Sequence, residues 1–114
     1  MSRFFARKTL CKHGHSHASA AEAKRCNDLH LLQAAGHIVG LRYEPRFTFT
    51  VNGREVKMRN GQIMKFTPDF TYVQSGKQIV EEVKPKNGWM SRDVPVKIAF
   101  FQALWPEIEL RIVK

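Results

Sequence analysis

Long apolar runs are missing from this chain of 114 residues: nowhere does it reach the about 20 consecutive apolar residues of a membrane-spanning helix. An anionic membrane surface as partner would want an amphipathic basic helix or a lipidation signal instead. The start, Met1 to Lys12, is basic but lacks the apolar stretch and cleavage pattern of a secretory signal, so a cytoplasmic protein without a membrane partner is expected. Cysteine is scarce. Cys11 and Cys26 are too few for a disulfide scaffold, and both are expected as thiols, Cys26 as a small buried residue. Repeats, low-complexity tracts and linkers are absent, which leaves one domain over residues 1–114, with 1–12 as a basic arm or strand. Acidic residues are outnumbered. Ten Asp and Glu against nineteen Lys and Arg give +9, the balance of a protein with a polyanionic partner such as nucleic acid.

What is present is a regular succession of structure signals. Ser19-Ala20-Ala21-Glu22 matches a capping box, and the Ala- and Leu-rich run from Ala20 to Ala35, closed by Gly36, predicts a helix. The β-branched and aromatic stretch Arg42 to Val51 predicts a strand, Asn52-Gly53 a tight hairpin, and Arg54 to Arg59 its return. Gln62 to Val73 and Lys77 to Lys84 predict two more strands, joined at Ser75-Gly76. Pro85 to Arg92 reads as a loop, and Asp93 and Pro95 suit the opening of a second helix that runs to about Trp105. Glu107 to Val113 closes as a strand with Ile108, Leu110 and Ile112 on one face. The order helix, three or four strands, helix, strand defines an α/β (α+β) chain.

Two of these strands carry chemistry. Side chains alternate along a strand, so Glu82 and Lys84 share one side with Val80, while Ile79 and Val83 line the other. A strand buried on both sides makes a charged pair costly without compensation. If the Pro68-Asp69 strand is its hairpin partner, Asp69 joins the pair, and two carboxylates beside a lysine have the makings of a hydrolytic metal site. A carboxylate-held Mg²⁺ neutralises a phosphodiester, activates water and stabilises the departing oxygen. Glu81, Lys77 and Lys86 read as surface charges.

Other residues carry two readings each. The capping box explains Glu22, yet helical spacing places it on the stripe of Cys26, Leu29 and Gln33, towards the core. Lys97 lies with Phe100, Phe101 and Leu104, and either snorkels outward or reaches a phosphate. His13, His15 and His17 are residues that zinc favours, but their alternation with Gly14 and Ser16 is not a common finger spacing, and an exposed turn is the expectation.

The αβββαβ order, with Pro68-Asp69 on one core strand and Glu82-Val83-Lys84 on the next, resembles the PD-(D/E)xK nuclease superfamily. Within it the chain is most similar to short phage and prophage proteins long known only as a domain of unknown function. The resemblance runs from about His13 to Val113 and includes Ser19, Glu22 and Ala23, the Glu44-Pro45-Arg46-Phe47 strand, Pro68-Asp69-Phe70, Lys97, and Pro106, Ile108, Glu109 and Leu110. It implies a restriction-endonuclease-like core, a mixed central sheet flanked by helices, and DNA cleavage that depends on Mg²⁺ or Mn²⁺. Asp69, Glu82, the Val83 carbonyl and Glu22 would hold the metal. Lys84 would orient the attacking water or stabilise the transition state, with Lys97 assisting. Pro85 is a departure, because relatives often carry glycine after that lysine.

Nucleic-acid contacts are expected from Lys86, Trp89, Arg92, Lys97, Arg46 and Lys65, with Trp89 stacking on an unpaired base or packing as a lid. By analogy with small phage nucleases, the substrate is branched DNA such as Holliday junctions, and symmetric cutting of two strands favours a homodimer. A non-catalytic nucleic-acid-binding module and a phage protein-binding factor on a nuclease-derived fold stay open as alternatives.

Overall fold

The computed structural model describes residues 9–11, 14, 16–17, 19–84 and 91–114. Residues 1–8 and 12 of the expected arm or strand over 1–12, and residues 85–90 of the expected loop, lie outside them. A short antiparallel ribbon comes first, β1 (Thr9–Leu10) against β2 (Ser16–His17), followed by helix α1 (Ala20–Ala34). Ser19 caps that helix: its backbone is extended and its hydroxyl accepts the Glu22 N–H at 3.1 Å. The helix stops where the sequence places glycine. Gly36, at φ 83°, donates its N–H to the Gln33 carbonyl and His37 donates to that of Leu32, the bond pair of a Schellman close.

Among the described residues, nine further elements follow: β3 (Val39–Tyr43), β4 (Phe47–Thr48), β5 (Thr50–Val51), β6 (Arg54–Glu55), β7 (Lys65–Phe66), β8 (Phe70–Gln74), β9 (Lys77–Val83), α2 (Asp93–Leu104) and β10 (Glu109–Val113). Four of the strands make one sheet in the order β10-β9-β8-β3. β3, β8 and β9 pair antiparallel, whereas β10 lies parallel to β9, a pairing that needs a crossover such as α2 supplies. The sheet is therefore mixed, and α1, β3, β8, β9, α2 and β10 carry the expected αβββαβ order. The hairpin joining β8 to β9 turns on Ser75 and Gly76, at φ 52° and 77°, the positive values that a two-residue turn of this hand needs. Asn52 and Gly53 do the same between β5 and β6.

Two expected strands are broken where proline falls. The expected strand Arg42 to Val51 instead starts at Val39 and leaves the sheet after Tyr43, because Glu44 adopts φ 49° and Pro45 has no N–H to donate. Phe47-Thr48 resumes pairing in a separate ribbon with β7. The Gln62 to Val73 stretch divides likewise, with Pro68 buried between β7 and β8.

Each face of the sheet has its own core. Cys26 and Leu29 of α1 pack with Ile38, Phe70, Tyr72 and Ile79 on one side. Phe101 of α2 packs with Phe49, Phe66, Val80 and Ile108 on the other. Ile79 and Val80 are consecutive, so the two clusters lie on opposite faces, and the domain is three layers thick. Phe101 is fully buried and edge-on to Phe47 at a ring separation of 4.8 Å; truncating it to alanine is expected to cost about 3–5 kcal/mol.

Candidate metal centre and nucleic-acid surface

The centre lies at the end of the β8–β9 hairpin. Pairing of Phe70 with Glu81 sets Asp69 opposite Glu82 on the next step of the ladder. Asp69 is held three ways: its N–H donates to the Glu81 carbonyl at 2.9 Å, its carbonyl accepts the Glu44 N–H at 3.0 Å, and Oδ2 accepts the Val83 N–H at 2.7 Å. The strand break at Glu44 thus serves the site, because the kinked residue caps the Asp69 backbone. Glu22 arrives from the first turn of α1, 8% exposed, with Oε2 at 2.7 Å from His17 Nδ1.

These carboxylates repel one another in a poorly solvated place. Burial pushes the Asp69 carboxyl well above its ordinary range, and the charges of Glu82 and Glu22 add to the rise against the Val83 N–H. Burial, then the charge of Glu22, raises Glu82 to about 7. Its Oε1 is buried and has no hydrogen-bond partner among the described residues. Asp69, Glu82 and Glu22 thus act on one another electrostatically, and carboxylate oxygens are the donor type of a hard divalent cation, although these are not gathered within 4.8 Å of one another as the ligand atoms of Cys11, His17 and Cys26 are. Asp69, Glu82 and Glu22 would hold it, with the Val83 carbonyl as a further oxygen.

The expected basic partners are placed as follows. Lys84 continues β9 with its N–H on the Val113 carbonyl at 2.7 Å, and alternation gives its half-buried side chain the Glu82 side of the strand. Lys97 lies beside the buried stripe of Ile98, Phe101 and Trp105, while Phe100 and Leu104, expected on an apolar face with it, are each 39% exposed. The Lys97 ammonium pairs with Asp93 one turn earlier, at 3.0 Å. Arg46 and Lys65 line one groove of about 460 Å³ with Thr48, Gln62 and Ile63. Arg92 is exposed just before α2. Lys86, Trp89 and Pro85 lie outside the described residues, as do His13 and His15.

Two features go against the sequence expectations. Glu81 is not a surface charge: it is fully buried, its carboxylate takes both Arg25 Nε and Nη2 at 2.7 and 2.6 Å, and the Tyr72 hydroxyl donates to it as well. Strand parity gave the signal, because Glu81 shares its side with Ile79 and Val83. His17 is not in an exposed turn either, being 4% exposed on a strand. Burial lowers its pKa, but hydrogen bonds to Glu22 and Cys11 outweigh this and hold it above the ordinary value.

The chain is an α+β domain in which Asp69 and Glu82 lie at one end of a mixed sheet and Glu22 on the helix packed against it. The family described as "Protein of unknown function (DUF1064)" matches residues 1–114, and the chain belongs to that family. No curated protein and no solved structure matches it. Among the described residues no helix is long and apolar enough to cross a membrane.

Proposed function

We propose that the protein is a metal-dependent DNA endonuclease of the PD-(D/E)xK superfamily. The observation that supports the reading is the buried Glu82 oxygen, without a hydrogen-bond partner among the described residues, in a place where Asp69 and Glu22 add like charge. Mg²⁺, or Mn²⁺ in its place, is the expected ion. When bound, it supplies charge neutralisation at the scissile phosphate and activation of water.

The chain's own residues do the rest. Asp69 is locked by the Val83 N–H, so one oxygen is fixed in place before a cation arrives. Lys84, on the Glu82 side, orients the attacking water or stabilises the charge that develops on the phosphate. Lys97 reaches a phosphate by exchanging Asp93 for it, which needs only a rotamer change at a half-buried site. The net charge of +9 and the groove between Arg46 and Lys65 support a nucleic-acid substrate, with the exposed Arg92 before α2 as a further phosphate contact. Branched DNA cut by a homodimer in the cytoplasm of a host cell, with the protein phage-encoded, is the particular form of the proposal.

The test is incubation of labelled four-way junction, duplex and single-stranded DNA with the wild type and Asp69→Ala, in Mg²⁺, Mn²⁺ or EDTA. Metal-dependent cutting by the wild type alone supports the proposal, and the preferred DNA gives the substrate. Tight, salt-sensitive binding without cutting in any metal would reassign the protein as a non-catalytic nucleic-acid binder.

A further inference from the structure

We propose that Cys11, His17 and Cys26 form a zinc site that fastens the amino-terminal ribbon to α1. The three residues come from three elements: Cys11 directly follows β1, His17 lies on β2, and Cys26 is in the second turn of α1. Their ligand atoms lie within 4.8 Å of one another, and the residues are 7%, 4% and 0% exposed.

The sulfur separation distinguishes the chemistry. Two thiolates on one zinc, each at about 2.3 Å with a tetrahedral angle between them, sit about 3.8 Å apart. A disulfide brings its sulfurs to about 2.05 Å. Cys11 Sγ and Cys26 Sγ are 3.6 Å apart, the spacing of co-ligands. The imidazole is arranged in the same sense. Glu22 Oε2 lies 2.7 Å from His17 Nδ1, the carboxylate–histidine contact that fixes the tautomer and presents Nε2 to a metal.

Charge and stability favour occupancy. Two thiolates balance the 2+ charge, so the filled site adds no net charge to a buried place, and loading releases two thiol protons to solvent. Three protein ligands leave the fourth position of the tetrahedron to water or another donor. β1 and β2 have two residues each, too little pairing for a ribbon to hold by itself. A metal tying it to α1 supplies the missing restraint.

The site is distinct from the carboxylate centre in donor type. Sulfur and imidazole select a softer ion, whereas the oxygens of Asp69 and Glu82 select Mg²⁺ or Mn²⁺. The two are joined through Glu22, which faces His17 on one side and Asp69 on the other. Zinc here is a positioning element for Glu22, and the inference stands whether or not the protein cuts DNA.

The experiment is a titration of reduced, metal-free wild-type protein with Co²⁺ alone, followed by absorption, with circular dichroism to establish that the protein is folded. The expected result is thiolate-to-cobalt charge-transfer bands and tetrahedral d–d bands that saturate at one equivalent of Co²⁺ per chain and vanish on adding Zn²⁺. Asp69→Asn, outside the set of Cys11, His17 and Cys26, is expected to keep the thiolate bands, and Cys26→Ser to lose the charge-transfer intensity of one thiolate. Folded wild-type protein that takes up Co²⁺ without thiolate bands, or takes up none, would overturn the proposal. A wild-type spectrum retained in both Cys11→Ser and Cys26→Ser would do so as well.

Discussion

Glu81 and Glu82 are neighbours on β9, and the sheet sends them to opposite sides with opposite fates. Glu81 meets a complete set of partners in Arg25 and the Tyr72 hydroxyl beneath α1. Glu82 meets Asp69 and Glu22, two groups of its own sign, and among the described residues keeps a buried oxygen without a hydrogen-bond partner. A buried charge with both oxygens hydrogen-bonded to a paired cation belongs to the architecture; one placed among like charges is costly without a further partner. The difference is what the proposal rests on: Glu81 is held by the fold, and Glu82 is the carboxylate proposed to bind a cation.

The comparison can be broken by substitution. On the Glu82 side, Asp69→Asn or Glu82→Gln is expected to lower cleavage by on the order of 10³-fold or more, while stability holds or rises because repulsion is relieved. Single-turnover kinetics beside urea unfolding would show both. On the Glu81 side the effects reverse. Arg25→Ala leaves a fully buried carboxylate with only Tyr72, and is expected to cost about 3–5 kcal/mol in urea unfolding.

Titration sharpens the contrast. Glu82 has a folded pKa of about 7 against an ordinary 4.5, so between those values the folded form keeps a proton that the unfolded chain has released. The metal-free protein is therefore expected to lose stability as pH rises from 4.5 to 7, and saturating Mn²⁺ to cancel the loss. Urea midpoints across that range would measure it. Replacing Arg46 and Lys65 by alanine acts away from both carboxylates: each lost phosphate contact is expected to reduce the slope of log affinity against log salt by about 0.9 on duplex DNA. The smallest effect is expected from Tyr72→Phe, about 1 kcal/mol, from loss of one of the donors to Glu81.

Local chemistry was legible wherever it acted alone. Ser19 and Gly36 bound α1 as their side-chain oxygen and left-handed φ require, and Ser75-Gly76 turns the β8–β9 hairpin. Parity along β9 placed Val80 and Ile79 in different cores. The proline breaks were equally visible in sequence, but β-propensity on both sides of Pro45 and Pro68 favoured longer strands. Contacts between distant segments were harder. Arg25 and Glu81 are 56 residues apart, and only the register of α1 against the sheet joins them. Cys11, His17 and Cys26 match no common ligand spacing, because a two-strand ribbon folded onto a helix brings them together.

The central claim is that the Glu82 side of the sheet is a cation site and the Glu81 side is not. It is tested most directly by the melting temperature of the wild type, Glu82→Gln and Arg25→Ala above pH 7, with and without Mn²⁺. The account predicts that Mn²⁺ raises the wild-type midpoint, that Glu82→Gln melts no lower than the wild type in metal-free buffer but gains nothing from the ion, and that Arg25→Ala melts lower yet keeps the gain. A wild type indifferent to Mn²⁺, or a Glu82→Gln variant that gains as much as the wild type, would contradict it.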